Sequence, residues 1–230
     1  MKAAILQSNY IPWKGYFDII ARSDMFILYD EVQYTKNDWR NRNRIKTHNG
    51  LQWLTIPVLF SGKFGQAISE TRVVQDGWTS KHLKSITLNY TKSPFWKHYE
   101  DAFEGLYDDL QKEVFLSRIN LRCISLLCKL LAIETEIIWS SDIPVVNTGK
   151  NERLIDILKA VGATSYISGP AAKDYMDVSL FNKKGIDVSF MDYNNYPLYP
   201  QLHGDFIHEV SVIDVLFNVG PEARKYICSK

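Results

Sequence analysis

The sequence predicts an α/β fold, with a mainly parallel sheet and helices on both of its faces. Short apolar runs alternate along the chain with segments in which apolar residues recur at helical spacing, a pattern typical of strand–helix–strand units. The 230 residues are 46% hydrophobic and 23% charged, which is enough apolar material for a sizeable core. We therefore expect a single domain over residues 1–230.

The first quarter of the chain contains apolar strands, one short helix and a basic segment. Each expected strand is an apolar run bounded by polar residues, and Pro12 and Gly15 mark a loop between the first strand and the helix. In order, we expect a strand at 3–6, a helix at 16–22, a strand at 25–29, a polar and basic segment at 31–50 and a strand at 51–59.

The middle of the chain is helical, and the last part alternates again. Apolar residues nearly surround the segment 116–133, which indicates a buried helix. Asn151 and Gly162 are expected to cap and to end a later helix. The expected elements are helices at 78–89, 102–110 and 116–133, a strand at 137–139, a helix at 151–161, strands at 165–168 and 186–190, and a helix at 211–218. The helical block, about 78–133, predicts an inserted helical lobe.

Charge and cysteine content exclude several classes of protein. Lys and Arg total 27 against 26 Asp and Glu, a balance that argues against a general nucleic-acid binder or a polybasic membrane anchor. No apolar run approaches the ~20 residues of a membrane helix, and the first residues lack the pattern of a signal peptide. Three cysteines without a CxxC pair favour neither a disulfide scaffold nor a zinc site. We expect a cytoplasmic protein of undetermined oligomeric state.

The loop after the first strand is the first candidate site. In open α/β sheets, ligands bind where the carboxyl ends of strands meet helix N-termini. Gly15 lets the backbone approach a ligand closely, and Trp13 offers a stacking face. The layout resembles the strand–loop–helix of the nucleotidyltransferase-like fold, although Trp13 and Tyr16 replace its phosphate-binding histidines. The candidate residues of this loop are Gln7, Asn9, Tyr10, Trp13, Gly15 and Tyr16.

A second candidate cluster lies in residues 30–46. Asp30 follows a strand directly and is placed to act as a general base. Arg42 and Lys46 are suited to holding a phosphate or carboxylate, Arg42 through its bidentate fork. A solvated hairpin with ordinary charges is the alternative. The candidate binding residues are Gln33, Tyr34, Asn41, Arg42, Asn43 and Lys46, and we expect them to share one cleft with the first loop.

Two later segments offer further candidates. Ser168 and Gly169 end a strand in a small-residue turn that is suited to close ligand contact, although a plain turn explains them equally well. His203, Asp205 and His208 lie close together in sequence, but their spacing fits no familiar zinc pattern, so no metal is expected. His203 is instead expected to line the pocket and to transfer protons.

Several segments resemble the WbqC-like family in order along nearly the whole chain. The similar segments are residues 9–18, Asp30 with Gln33 and Tyr34, residues 41–46, 53–58, 151–154, 166–169 and 211–220. The resemblance implies a bacterial protein of surface-polysaccharide (O-antigen, lipopolysaccharide) biosynthesis. It further implies a role in transferring an acyl or aminoacyl group to an amino sugar, without settled catalytic residues.

The sequence is therefore compatible with two classes of function. The first is a transferase that forms an amide on an amino sugar, expected as a nucleotide-linked substrate, with Asp30 or His203 as base and Asn9 at the oxyanion. Its donor is an acyl-adenylate, a thioester (including a carrier-protein thioester) or an aminoacyl-tRNA, and no other cofactor is expected. The second is a non-catalytic module that binds a saccharide or nucleotide and assists a partner enzyme.

Overall fold

The computed structural model describes residues 1–228 and contains one five-stranded sheet and one hairpin. The strands are β1 (Lys2–Leu6), β2 (Met25–Leu28), β3 (Arg42–Thr47), β4 (Gly50–Thr55), β5 (Glu136–Trp139), β6 (Ser165–Ser168) and β7 (Asp187–Phe190). The helices are α1 (Lys14–Ala21), α2 (Trp78–Tyr90), α3 (Trp96–Leu110), α4 (Leu116–Leu130), α5 (Lys150–Ala160), α6 (Val178–Lys183), α7 (Ile213–Val219) and α8 (Arg224–Ile227).

The large sheet has the order β5-β2-β1-β6-β7, and all of its neighbouring strands are parallel. The α/β class and the parallel sheet are thus confirmed. From β1 the chain moves outward to β2 and β5, and then crosses to β6 on the other side of β1. The strand order therefore reverses between β1 and β6, and the crevice at their carboxyl ends is where such folds bind ligands.

Helices cover both faces of the sheet, as predicted. Ala4 and Phe26 point into a cluster shared with α1, α2, α3, α4 and α7, whereas Ala3 and Ile27 point into a second cluster shared with α5 and α6. This alternation follows from the period of two along a strand, and both faces are apolar because both are buried. The inserted helices α2, α3 and α4 pack on the same face as α1.

The structure corrects several element boundaries. Residues 31–50 were expected as a polar, basic segment, with a hairpin as the alternative, and they contain β3, which pairs antiparallel with β4. β4 ends at Thr55 and does not extend to residue 59. Helix α1 begins at Lys14, two residues earlier than predicted, and Gly149 rather than Asn151 precedes α5. β3 escaped the sequence analysis because polar residues occupy both of its faces. Within residues 1–228, no helix is long and apolar enough to cross a membrane.

Candidate functional site

A pocket of about 290 Å³ opens at the carboxyl edge of the sheet, beside the loop that follows β1. We call it the first pocket, and it is lined by Asn9, Pro12, Trp13, Trp39, Asn43, Arg44 and Glu209. The loop after β1 and the segment around β3 thus meet in one cleft. Backbone bonds hold them together, since Tyr10 N donates to Trp39 O at 3.1 Å.

The loop after β1 has an unusual backbone, which Asn43 holds in place. Ile11 has a φ of +33°, which a β-branched residue rarely adopts. The amide nitrogen of Asn43 donates to the Tyr10 and Ile11 carbonyls at 3.2 and 2.9 Å. Strained backbone of this kind is maintained by its surroundings and is common at binding sites.

Gly15 was expected to let the backbone approach a ligand, but the space beside it is occupied by the Trp13 indole. A Cβ at Gly15 would lie 2.3 Å from Trp13 Cζ2, which no real contact allows. The indole also packs edge-on against Tyr193 and Tyr196, at centroid distances of 5.0 and 6.0 Å. These neighbours fix the ring as a wall of the pocket.

Arg40 orients the two amides of the loop. Its guanidinium donates to the Asn9 side-chain oxygen and, at 3.0 Å, to the Gln7 side-chain oxygen. Because each oxygen faces Arg40, each amide nitrogen is directed elsewhere as a donor. Asn9 lines the first pocket, and its amide N–H groups are left to donate to a ligand. Arg40 was not among the predicted site residues.

A second pocket of about 370 Å³ adjoins the first. It is lined by Trp13, Tyr193, Asn194, Asn195, Tyr196, His208 and Glu209. Trp13 and Glu209 therefore belong to both pockets and stand where the two meet. Desolvation and the nearby Lys14 cation lower the pKa of His208, which favours its neutral form.

Glu209 reaches this position through backbone pairing of the segment that follows it. Ser211 N donates to Arg44 O at 2.9 Å, and Val212 N donates to Pro12 O at 2.8 Å. The segment before α7 is thereby joined to both β3 and the first loop. The Glu209 side chain itself is exposed, and within the described residues no hydrogen bond or ion pair occupies its carboxylate.

Beside the first pocket, two arginines and two tryptophans of the hairpin form what we call the Trp–Arg ladder: Trp39, Arg42, Arg44 and Trp53. Arg42 Cζ lies 4.2 Å from the Trp53 ring centre, and Arg44 Cζ lies 5.4 and 5.6 Å from the Trp53 and Trp39 centres. Both indoles are about two-fifths exposed, at 41% and 42%. The ladder is thus a cationic, aromatic surface open to solvent.

Asp30 lies beneath the cleft and is fully engaged. It is 1% exposed and accepts hydrogen bonds from Ser8 N at 2.7 Å and from the Ser8 and Ser117 hydroxyls, both at 2.6 Å. Asn120 donates to Ser8 Oγ and to Arg40 O, both at 2.9 Å. This network joins the ends of β1 and β2 to α4, and it keeps Asp30 off the walls of both pockets.

Lys46 and His203 lie together, away from the two pockets. The Lys46 ammonium donates to Gln201 Oε1 at 2.9 Å, to Gly204 O at 3.1 Å and to Asp205 O. His203 Nε2 contacts Asn89 O at 3.0 Å. The two side chains fasten residues 201–205 to the hairpin and to α2.

The other predicted residues serve mainly as internal supports. The Tyr10 hydroxyl forms hydrogen bonds with His82 and with the Tyr107 hydroxyl. The Tyr16 hydroxyl donates to Gln7 O, and the Asn41 amide donates to Ile56 O. Tyr34 is buried against Phe60, and exposed Gln33 forms a bridge with Ala67. Ser168 is buried, and a Cβ placed at Gly169 would lie 3.9 Å from the Tyr193 hydroxyl. None of these residues is among those that line the two pockets.

In the part of the chain that the structure describes, Lys14 is a buried cation without a hydrogen-bond acceptor. Its ammonium lies 4.9, 5.4 and 5.7 Å from the ring centres of Tyr196, Phe206 and Tyr199. Desolvation lowers the pKa of Lys14 to about 8, and the charges of Asp214 and Glu209 oppose that shift. The residue lies behind Tyr196, which is part of the second pocket's wall.

The site holds residues that sequence reasoning missed. Trp39, Arg40, Arg44 and Glu209 all belong to it, whereas only the surrounding segments had been singled out. Arg44 and Trp39 had a local signal, since they flank the Asn-Arg-Asn run, but Glu209 is brought to Trp13 only by the fold. Among residues 1–228, no group of three or more His, Cys, Asp or Glu side chains is arranged to hold a metal ion.

Comparison with known proteins gives one family. The WbqC-like protein family model matches residues 7–226. An uncharacterised protein of Mycobacterium tuberculosis, Rv1507c, is 44% identical over 226 residues, which cover 98% of this chain and 97% of that protein. No solved structure gives a significant match.

Proposed function

The chain belongs to the WbqC-like protein family, and on that premise we propose that it transfers an acyl or aminoacyl group to the amine of a nucleotide-linked amino sugar. The observation that carries the proposal is the pair of adjoining pockets that meet at Trp13 and Glu209. A transfer between two substrates needs two neighbouring binding sites and a proton acceptor between them.

The residues at the junction suit each step of this reaction. The sugar amine attacks the acyl carbon, the new C–N bond forms, and the bond from carbon to the donor's leaving group breaks. Glu209 accepts the proton that the amine loses, in the role first assigned to Asp30 or His203. The amide N–H of Asn9 donates to the oxyanion that develops on the acyl carbonyl.

The proposal also covers the biological setting. We assign the product to surface-polysaccharide biosynthesis, as the family resemblance implies. We place the reaction in the cytoplasm, because the free thiols of Cys123, Cys128 and Cys228 suit a reducing compartment. The donor remains one of three classes: an acyl-adenylate, a thioester or an aminoacyl-tRNA.

Product formation tests the proposal directly. The protein is incubated with nucleotide-linked amino sugars and with each donor class in turn, and mass spectrometry detects a sugar heavier by the acyl group. We expect product with one donor class, strongly reduced in Glu209→Gln and unchanged in Glu104→Gln, an exposed glutamate on α3. Absence of product with every donor would contradict the transferase.

A second candidate is a non-catalytic module that binds the same sugar for a partner enzyme. It is favoured by the position of Asp30 and His203, since both predicted bases lie outside the pockets. The two candidates differ in the same experiment: a module binds the nucleotide sugar but leaves its mass unchanged with every donor.

A further inference from the structure

The Trp–Arg ladder has charges that the protein itself does not neutralise. Within the described residues, neither the Arg42 nor the Arg44 guanidinium forms an ion pair with a carboxylate. The Nε of each is buried, and no acceptor among the described residues contacts it. Within residues 1–228, the Arg42 guanidinium donates a hydrogen bond only to Asn37 O. Two stacked cations beside two exposed indoles suit a ligand that is both flat and anionic.

The size of the first pocket indicates that part of its ligand lies outside. Pockets that enclose a drug-sized ligand span roughly 300–1,000 Å³, and the first pocket, at about 290 Å³, is at the lower limit. It can hold a sugar ring but not a sugar, a diphosphate and a nucleoside together. A nucleotide-linked sugar must therefore extend beyond it.

The charges around the first pocket favour one direction. Glu209 lines both pockets, and the Lys14 cation beside the second pocket is buried behind Tyr196. On the other side, Trp39 and Arg44 line the first pocket and also belong to the ladder, whose arginines are partly exposed. A diphosphate is therefore attracted more strongly towards the ladder than towards the second pocket.

We propose that the Trp–Arg ladder binds the nucleoside diphosphate of the sugar substrate, with the base stacked on the exposed face of Trp39 and the phosphates held by Arg44 and Arg42. This inference rests on the proposed function for its substrate, but its binding step is independent of the transfer. Base–indole stacking and guanidinium–phosphate pairing are both tolerant of base identity, so the ladder selects the diphosphate more than the base.

Binding of uridine diphosphate and guanosine diphosphate, measured by calorimetry and by tryptophan fluorescence, tests the proposal. We expect Arg44→Gln to raise the Kd about ten- to a hundredfold, the range for losing a hydrogen bond to a charged group. Arg44→Lys keeps the charge but not the bidentate fork, so its Kd should lie between those of the wild type and Arg44→Gln. The matched control is Arg118→Gln, which removes a guanidinium stacked 5.2 Å from Phe115 and outside both pockets.

Two further ligands separate the contribution of the base from that of the phosphates. Trp39→Leu should weaken the binding of uridine diphosphate about tenfold but leave the binding of inorganic pyrophosphate unchanged. Arg44→Gln should weaken the binding of both. Melting curves of each variant report folding. Diphosphate binding that is equal in Arg44→Gln, Trp39→Leu and Arg118→Gln would overturn the proposal. So would a single-stranded RNA hexamer that binds the ladder far more tightly than either diphosphate.

The outcomes also distinguish this inference from the transferase. Ladder-dependent binding of the diphosphates without any acylated product supports the ladder and contradicts the transferase. Acyl transfer to an amino sugar that is unaffected by Arg44→Gln, at sugar concentrations below the KM, supports the transferase and contradicts the ladder.

Discussion

Asp30 and Glu209 are two carboxylates at the same edge of the sheet, and they have opposite surroundings. Asp30 is buried and accepts three short hydrogen bonds, whereas Glu209 is exposed between two pockets and accepts none within the described residues. Lys46 and Lys14 repeat the contrast, since Lys46 has three oxygen acceptors, whereas Lys14 lies among three aromatic rings and has no hydrogen-bond acceptor within residues 1–228.

This contrast distinguishes the polar residues that stabilise the fold from those that are available to bind a ligand or to react with it. A buried charge whose hydrogen bonds are all made is a structural element, because moving it would leave its donors unpaired. A carboxylate without partners on a pocket wall costs the fold nothing and is available to a ligand.

The largest expected effect is on catalysis by Glu209. Glu209→Gln keeps the size of the side chain but removes its proton affinity, so turnover in the transfer assay should fall by ~10²–10⁴. The melting temperature should stay the same, because no bond to Glu209 is lost. Glu104→Gln is the matched control. Normal turnover in Glu209→Gln would remove it from the reaction.

Asp30→Asn should act on stability instead. The asparagine presents an N–H₂ group to at least one of the three donors around Asp30, so we expect the free energy of unfolding to fall by about 3 kcal/mol. Ser117→Ala removes a single donor and should cost about 1 kcal/mol. Chemical denaturation measures both. A stable Asp30→Asn protein that has lost turnover would return Asp30 to the role of base.

The sequence was sufficient for the sheet because burial leaves a local signal. Ala3, Ile5, Phe26 and Ile27 lie in apolar runs whose two faces are both covered, so the strands could be recognised one at a time. β3 gave no such signal. Its buried Asn43 and Lys46 are satisfied by the carbonyls of Ile11 and Gly204, and these acceptors come from distant segments.

The sequence indicated the segments around the candidate site better than its residues. Asn9 and Trp13 of the first loop share one pocket with Trp39, Asn43 and Arg44, because the carboxyl ends of β1 and β2 are adjacent, whereas Asp30 and Lys46 lie outside it. Which side chain points into that cleft depends on contacts that no local pattern contains. Glu209 lies 196 positions after Trp13 and is placed by the bonds from Ser211 and Val212.

Lys14 should make stability depend on alkaline pH. Its folded-state pKa of about 8 lies below the ordinary lysine value of 10.5, so the unfolded chain binds more protons and stability rises with pH in that range. From pH 8 to 9.5 we expect a gain of about 1.5 kcal/mol. Buried Cys123 and Cys128, whose pKa values are raised to about 12, act in the opposite direction. The measured quantity is therefore the free energy of unfolding of the wild type relative to that of Lys14→Met. The wild type should gain on the variant as pH rises. A difference that is independent of pH would mean that Lys14 keeps an ordinary pKa.

The smallest expected effect tests whether Gly15 serves Trp13. A methyl group at Gly15 would lie 2.3 Å from Trp13 Cζ2, so the indole must turn away in Gly15→Ala. The strain is partly offset by the higher helix propensity of alanine in α1, and a net loss of about 1 kcal/mol in unfolding free energy is expected. Gly105→Ala in the middle of α3 is the matched control, because its Cβ meets nothing within 4 Å and should stabilise the helix. Since Trp13 is a wall of both pockets, Gly15→Ala should also weaken sugar binding and change the tryptophan emission, and Gly105→Ala should do neither. Unchanged emission and affinity in Gly15→Ala would show that the Trp13 ring is not held by this contact.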